Sequence, residues 1–248
     1  MKKIILFSAL CAFLASSLAA QSYAFGLKSG LTLGNQQWSG IGNRNILYKY
    51  HGIAFIETAD EDNKFALFAQ AGYHQKGSAL RFFSGNYTNP TTGKIETYPS
   101  SRTEYIFHNI SLTLGGKKKF DFSGYRFYYM FGVRGEYTAK TNLQKAPQLT
   151  GFFNYQPNAA SVRPWNFGVT AGGGTEFRFS EFVQGILEVS VSPDFSRQYY
   201  DPPYANFPIY DPGTNTFIRG TLPEQSIRNF TFEISLGLRF LRKIQYVD

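Results

Sequence analysis

The clearest pattern in the chain is a strict alternation of apolar and polar residues near its end. Positions 230, 232, 234, 236, 238 and 240 carry Phe, Phe, Ile, Leu, Leu and Phe, and Thr, Glu, Ser, Gly and Arg lie between them. A repeat of two residues indicates a β-strand with one apolar and one polar face. Because the polar face mixes charged and small side chains, the pattern predicts a strand of a closed barrel whose apolar face meets lipid and whose polar face lines the lumen.

Similar segments recur along the chain and predict an all-β fold, an eight-stranded antiparallel up-and-down transmembrane β-barrel. The predicted strands cover residues 23–34, 51–59, 64–80, 104–120, 125–137, 165–177, 182–192 and 230–240. In the second strand the alternation is weak, and Ile53 and Phe55 are assigned to the outward face. A soluble, secreted, lipocalin-like barrel would show the same alternation with its apolar face inside.

The connections between these strands alternate in length. Residues 35–50, 81–102, 138–164 and 193–228 form long segments rich in turn-forming residues, whereas the connections at 60–63, 121–124 and 178–181 are short. Outer-membrane barrels have short periplasmic turns and long extracellular loops. The sequence therefore predicts short periplasmic turns, four long extracellular loops, and girdles of aromatic residues at both ends of the strands.

The first twenty residues have the features of a secretory signal peptide. Lys2 and Lys3 precede an apolar run of about 11 residues, which is too short to span a bilayer, and small residues follow. Cleavage after Ala20 is preferred and cleavage after Ala24 is the alternative. We expect a signal peptide at 1–20, a barrel domain at 21–248, and export through the Sec pathway to the bacterial outer membrane.

The composition restricts the chemistry of the exported chain. Cys11 is the sole cysteine and lies inside the signal peptide, so disulfides, thiolate catalysis and Cys-ligated metal are excluded from the mature chain. The net charge of +8 is spread along the sequence except at Lys117, Lys118 and Lys119, which are predicted to form a solvated rim in contact with lipid headgroups. Export argues against nucleic acid as a partner. The expected partners are outer-membrane lipid and other outer-membrane or secretion-system proteins.

A second set of charges falls on the polar faces of the predicted strands. An eight-stranded barrel has an interior that side chains just fill, and buried charges must be paired. We therefore predict an ion-paired plug rather than a pore. The predicted lumen charge network consists of Lys28, His74, Lys76, Arg126, Arg134, Glu136, Glu176, Glu188, Glu233 and Arg239.

Catalytic and metal sites find little support in the sequence. The histidines are His51, His74 and His108, and they fall on separate strands without a local motif for a nucleophile and its base. His74 is expected inside the lumen, and His51 and His108 near the outer rim. The sequence indicates no enzyme, no cofactor and no catalytic or metal residues.

The loops are the more promising place for function. Aromatic residues in two of them, Trp38, Tyr199, Tyr200 and Tyr204, form the candidate binding surface. Two interpretations stand equal here: an adaptable binding surface, or an ordered lid that protects the top of the barrel.

Four segments resemble the outer-membrane β-barrel family of Bacteroidota that includes PorT-type proteins. They are FGLKSGLTLGN at 25–35, AGYHQKGSALRF at 71–82, NFGVTAGGGTEF at 166–177 and SLGLRF at 235–240. The resemblance covers most of the barrel and implies an integral outer-membrane barrel; some members of that family serve protein secretion or gliding, and most have no assigned role. We expect a structural or interaction role, with an accessory role in protein secretion as its finer form. The alternatives are a narrow solute channel, a lipid-modifying outer-membrane enzyme and a soluble secreted lipid-binding barrel.

Overall fold

The computed structural model describes residues 22–39, 44–59, 64–88, 93–143, 159–211 and 216–242. The predicted signal peptide and its cleavage site lie outside these residues. Eight long strands form the main sheet: β1 (Tyr23–Trp38), β2 (Asn45–Thr58), β3 (Phe65–Phe82), β6 (Ser101–Phe122), β7 (Tyr125–Thr141), β8 (Trp165–Arg178), β9 (Val183–Pro193) and β13 (Gln225–Arg242). Five shorter strands lie in the connections: β4 (Gly85–Thr88), β5 (Ile95–Tyr98), β10 (Tyr199–Asp201), β11 (Tyr204–Asp211) and β12 (Thr216–Leu222).

The eight long strands close into a barrel. They are hydrogen-bonded in the order β1-β2-β3-β6-β7-β8-β9-β13, and β13 pairs back onto β1 from Tyr23–Arg242 to Trp38–Ile227. Each neighbouring pair is antiparallel. Closure leaves no free sheet edge along the ring. The predicted fold class is confirmed.

The barrel has an apolar outside and a polar inside. Leu27 and Leu236 are each 66% exposed, whereas Lys28, next to Leu27 on β1, is 3% exposed. The same contrast runs along β7, where Phe131 and Val133 face outward and Arg134 is buried. A soluble lipid-binding barrel would have the opposite arrangement, so the exterior is that of a barrel surrounded by lipid.

The face predicted for the second strand is wrong. Ile53 and Phe55 point into the lumen with 7% and 5% exposure, and Ile56 faces outward. The run Ile53 to Ile56 is apolar at every position, so alternation cannot distinguish its faces. The pairing with β1 decides: Ile53 lies opposite the inward Lys28, and side chains of directly opposite residues share a face.

One end of the barrel carries short turns and the other carries longer connections. At the turn end, Ser123 and Gly124 join β6 to β7, and Gly124 has a φ of 90°, which favours glycine. At the loop end, β1 and β2 run further than predicted, so residues 39–44 suffice to connect them and Trp38 ends β1. The ribbons β4–β5 and β11–β12 lie in two longer connections, and β10 pairs with the start of β13.

Helical structure in the described residues is limited to short segments such as the 3-10 turn Ala159–Ser161. None of the helices described is long and apolar enough to cross a membrane.

Candidate functional site

The lumen is the candidate site, and its turn end is filled by an ion cluster around Glu57. The Glu57 carboxylate lies 3.0 Å from Lys117 Nζ, 2.5 Å from Lys119 Nζ and 2.7 Å from Arg239 Nε. Lys119 Nζ is also 3.0 Å from Glu176 Oε1. All five side chains are buried and come from β2, β6, β8 and β13. The cluster therefore links strands on different sides of the barrel.

An apolar layer adjoins this cluster. The aromatic rings stand around the Lys117 ammonium, which lies 4.7 Å from the ring centre of Tyr128 and 5.2 Å from that of Phe55. Cations are attracted to the faces of aromatic rings, and this attraction is larger where water is absent. The buried members of the layer are Phe55, Phe68, Tyr128, Met130 and Ile186.

The middle of the lumen is occupied by a bonded group around Glu188. Lys28 forms an ion pair with Glu188, and the Tyr128 hydroxyl donates a hydrogen bond of 2.6 Å to the other carboxylate oxygen. A cavity of about 10 Å³ remains beside this group, lined in part by Gln70 and Met130. A space of that size holds about one water molecule.

Two histidines lie together above the middle. The rings of His51 and His74 are stacked with centres 5.6 Å apart. His74 Nδ1 lies 2.6 Å from Glu233 Oε1, and His51 Nε2 lies 2.8 Å from Ser235 Oγ. The prediction that His51 lies near the outer rim is therefore wrong, since its side chain is buried in the lumen, where β1 pairs Gly30 opposite it.

A third ion cluster lies toward the loop end. Lys76 Nζ is 2.6 Å and Arg134 Nε 2.9 Å from Glu136 Oε1. Arg134 Nη2 is also 2.5 Å from Asp194 Oδ1, and Asn109 donates to the remaining oxygen of Glu136 at 2.9 Å. Because Asp194 follows the last residue of β9, this cluster ties the start of the last long connection to the barrel wall.

The loop end is closed by a roof formed by residues 194–201. Gln198 donates hydrogen bonds to Asn109 Oδ1 at 3.0 Å and Thr138 Oγ1 at 2.9 Å, and Asn229 donates to Gln198 Oε1 at 2.5 Å. Above this layer, Tyr199 is fully buried. It belongs to an apolar cluster with Tyr105, Phe107, Leu143 and Ile227, against which Trp38, Leu80 and Val162 pack.

The four aromatic residues of the candidate binding surface therefore do not form one surface. Tyr199 belongs to the roof, and Trp38 at the end of β1 packs against it, with ring centres 6.4 Å apart. Tyr200 is half-buried between the guanidinium groups of Arg163 and Arg197, at 5.0 and 5.2 Å. Tyr204 is exposed on β11. The hydrogen bond that Tyr204 donates to Asp201, at 3.0 Å, raises the pKa of the Tyr204 hydroxyl.

The structure places every residue of the predicted charge network inside the lumen except Arg126. Arg126 is the second residue of β7 and pairs with Asp121 at 2.5 Å on the turn-end rim, where both are partly exposed. Its backbone lies opposite the buried Glu176 of β8, but its side chain pairs with Asp121 at the rim.

Sequence reasoning missed Glu57, Lys117, Lys119 and Asp194 as members of the network. The solvated rim predicted for residues 117–119 is wrong for Lys117 and Lys119, which are 1% and 5% exposed, while Lys118 between them is exposed. Alternation itself carried this signal, because Lys117 and Lys119 have the same parity as Ser111 and Thr113. Asp194 lies past the end of its strand and had no such signal.

Among the residues that the structure describes, the lumen offers no space for a substrate. His51 and Ser235 are within hydrogen-bonding distance, but the other ring nitrogen of His51 lies 3.0 Å from Thr32 Oγ1 rather than from a carboxylate. Both residues are buried beneath the roof, whereas nucleophilic catalysis requires the substrate to reach the hydroxyl. Within the described part of the chain, no group of three or more metal-ligating side chains could hold a metal ion.

Comparison with known proteins yields structural resemblance without sequence resemblance. No protein-family model matches the chain, and no curated protein matches its sequence. A major outer membrane protein from Thermus thermophilus aligns over 90% of this chain and 100% of its own, with 9% identity and a TM-score of 0.48. Neisserial surface protein A aligns over 88% and 96%, with 10% identity and a TM-score of 0.46. The outer membrane protease OmpT from Escherichia coli aligns over 89% and 97%, with 10% identity and a TM-score of 0.41.

Similarities of this size support no conclusion about function. None of these comparisons adds support for the family that the four sequence segments resemble. The placement of the protein follows from its own geometry. A closed barrel with an apolar exterior, short turns at one end and longer connections at the other has the architecture of bacterial outer-membrane proteins.

Proposed function

We propose that this protein is a non-conducting barrel of the bacterial outer membrane, with a structural or interaction role carried by its loop end. The observation that supports this proposal is the filled lumen. In the orientation usual for outer-membrane barrels, the end with short turns faces the periplasm and the end with long loops faces the outside of the cell. The expected lipid contact is then made by the outward rows of Leu, Phe and Val.

The charges inside the barrel are balanced. Removing an ion from water is costly unless a partner of opposite charge accompanies it, so a balanced and bonded set favours a solid plug. Among the described residues, the buried cations below the roof are Lys28, Lys76, Lys117, Lys119, Arg134 and Arg239, and the buried carboxylates that lie with them are Glu57, Glu136, Glu176, Glu188, Asp194 and Glu233, which are equal in number. Asp201 is also buried, at the outer side of the roof, where Tyr204 donates a hydrogen bond to it. A narrow channel would require a continuous water path along the lumen. The roof at the loop end and the apolar layer near the turn end interrupt such a path.

Recordings in planar bilayers test the plug. Purified, refolded protein is expected to show no stable unitary conductance in salt solution. Stable and reproducible conductance steps would overturn the proposal in favour of the solute channel. Gel migration of the same preparation checks that all of the protein is in the heat-modifiable, folded form. An absence of current can then be attributed to the folded barrel.

The interaction role is supported by the exposed parts of the loop end. Tyr204 and the ribbon β11–β12 stand outside the roof, and Tyr200 lies half-buried between two arginines. Affinity purification from native outer membranes should recover a reproducible protein partner, and Tyr204→Ala should reduce its recovery. If affinity purification of the wild-type protein recovers no other protein, the role is purely structural.

The resemblance of the four segments leads us to propose an accessory role in protein secretion as the finer function. Deleting the gene from its host should then reduce the amount of secreted protein in the medium, and restoring it should recover secretion. Unchanged secretion in the deletion strain would contradict this finer proposal without affecting the plug.

A further inference from the structure

A group of polar and basic side chains lies at the loop end of β2, β3, β6 and β7, where Lys49, which is paired with the inward-facing Thr32 of β1, reaches Glu104 on β6. We call Lys49, Arg81, Arg102, Glu104, His108 and Lys140 the rim cluster. We propose that the rim cluster binds a phosphorylated glycolipid of the outer leaflet, whose sugar headgroup carries phosphate above the bilayer plane. This inference rests on the membrane placement proposed above and is independent of the lumen.

The lower part of the site begins at the outer aromatic residues. Gln75 Nε2 donates hydrogen bonds to the hydroxyls of Tyr50 at 2.9 Å and Tyr73 at 3.2 Å, and the Tyr73 hydroxyl lies 2.5 Å from His108 Nδ1. Tyr50 and Tyr73 remain exposed toward the outside. Tyrosines with a polar tip favour the interface between hydrocarbon and headgroups. The exposed Lys140 lies directly opposite His108 on β7.

The upper part of the site concentrates positive charge. Arg81 on β3 lies directly opposite Arg102 on β6, and like charges in such a pair repel each other. Glu104 is the carboxylate beside them, and it is already 2.8 Å from Lys49 Nζ and 3.5 Å from Arg102 Nη2. The rim cluster as a whole therefore contains four cations and one carboxylate, which gives it a net positive charge.

A cleft is present where this excess lies. It has a volume of about 320 Å³ and is lined by Asn45, Arg81, Ser100 and Arg102. Two guanidinium groups with a hydroxyl and an amide beside them are suited to phosphate, because arginine donates paired hydrogen bonds to its oxygens. A phosphate in this cleft would also relieve the repulsion between the two arginines.

The heights of the cations favour a glycolipid over a simple phospholipid. His108 and Lys140 lie close to the aromatic residues, and Arg102 lies six positions further along β6, or roughly 20 Å along the strand. The headgroup of a phospholipid would reach the lower cations only. A sugar headgroup with phosphates at more than one height can reach both parts of the rim cluster.

The test compares lipid binding to the full-length folded protein in detergent by native mass spectrometry. The probes are a phosphorylated core-lipid A glycolipid, the same glycolipid after enzymatic dephosphorylation, phosphatidylglycerol and inorganic phosphate. The test variant is Arg81→Gln with Arg102→Gln. The matched control is Arg219→Gln with Arg228→Gln, which removes the same charge from two other exposed arginines of the loop end.

We expect the wild-type protein and the control variant to retain the phosphorylated glycolipid equally, and the test variant to bind it about tenfold or more weakly. Equal binding by both variants, or equal binding of the dephosphorylated glycolipid, would overturn the proposal. Phosphatidylglycerol or inorganic phosphate binding as tightly as the glycolipid would overturn the assignment to a glycolipid. Gel migration of each folded variant checks that the barrel is intact. Bilayer conductance tests the plug in the lumen, whereas lipid binding tests the rim cluster. A conducting lumen and a rim cluster that does not bind the glycolipid are therefore separate outcomes.

Discussion

Arg134 on β7 and Asp194, just beyond the end of β9, form an ion pair with Nη2 and Oδ1 2.5 Å apart. Arg134 belongs to the barrel wall, whereas Asp194 begins the connection that returns over the loop end. Asn229 donates a second hydrogen bond to Asp194, at 2.9 Å. The closed outer end of the lumen therefore depends on a contact between the wall and a loop, in addition to the pairing of strands.

Replacing Asp194 by alanine should loosen the roof. Arg134 would lose a buried partner, and the segment 194–201 would lose its attachment to the wall. We expect brief current steps in planar-bilayer recordings of Asp194→Ala that the wild-type protein does not show. Asp121→Ala is the control, since it breaks an ion pair on the exposed turn-end rim. Recordings of Asp194→Ala as silent as those of Asp121→Ala would contradict the role assigned to the roof.

Replacing Glu57 by alanine should destabilise the barrel strongly. Lys117, Lys119 and Arg239 would remain buried around an empty position, and removing one partner from a buried ionic group costs about 3–5 kcal/mol. The measurement is the free energy of unfolding by urea of the protein reconstituted in lipid vesicles. Glu104→Ala removes a carboxylate from a partly exposed pair and should change stability by no more than about 1 kcal/mol. Equal effects of the two substitutions would contradict the buried cluster.

A glycine on β8 makes room for Tyr128. A Cβ atom at Gly174 would lie 2.7 Å from the Tyr128 hydroxyl oxygen and 2.4 Å from the carbonyl oxygen of Leu187. Gly174→Ala should therefore lower the free energy of unfolding by about 1–3 kcal/mol through overpacking. At Gly135 a Cβ would meet nothing nearer than the Phe167 ring at 4.0 Å, so Gly135→Ala should have little effect. A larger loss of stability at Gly135 than at Gly174 would refute this explanation.

An arginine introduced on the outer face should report where the bilayer lies. Leu236 is 66% exposed near the middle of β13, and Phe122 is 56% exposed at the turn-end terminus of β6. Leu236→Arg should cost about 2–4 kcal/mol in a bilayer and Phe122→Arg about 0–1 kcal/mol, because the cost of an exposed charge depends on depth. Unfolding measurements in vesicles give both values. Comparable stability for the two variants would contradict a lipid-facing exterior.

The barrel could be predicted because its strands alternate over long stretches. Leu236, Leu238 and their neighbours define both faces of β13, and seven similar segments with connections of alternating length define the ring. The prediction failed locally where alternation was lost, as at Ile53 and Phe55, whose inward direction depends on the partner residues of β1.

The charge network was predictable in type and only partly in membership. Lys28, Lys76, Arg134 and Glu136 follow directly from strand parity. Lys117 and Lys119 follow the same rule, but a run of three lysines suggests a solvated surface when it is considered as a block. Asp194, Gln198 and Tyr199 lie in the connection between β9 and β13. No periodic sequence pattern predicts that such a connection folds back over the end of the lumen.

The sequence by itself determined the class of the fold, the count and direction of the eight barrel strands, and the division into an apolar and a polar face. These follow from a two-residue repeat, which is a local property of the backbone. The tertiary structure decided which cation meets which carboxylate, that Trp38 and Tyr199 help to seal the lumen, and that Arg81 lies opposite Arg102. Such contacts join residues far apart in the chain, and they depend on the register of closure, which brings β13 back to β1.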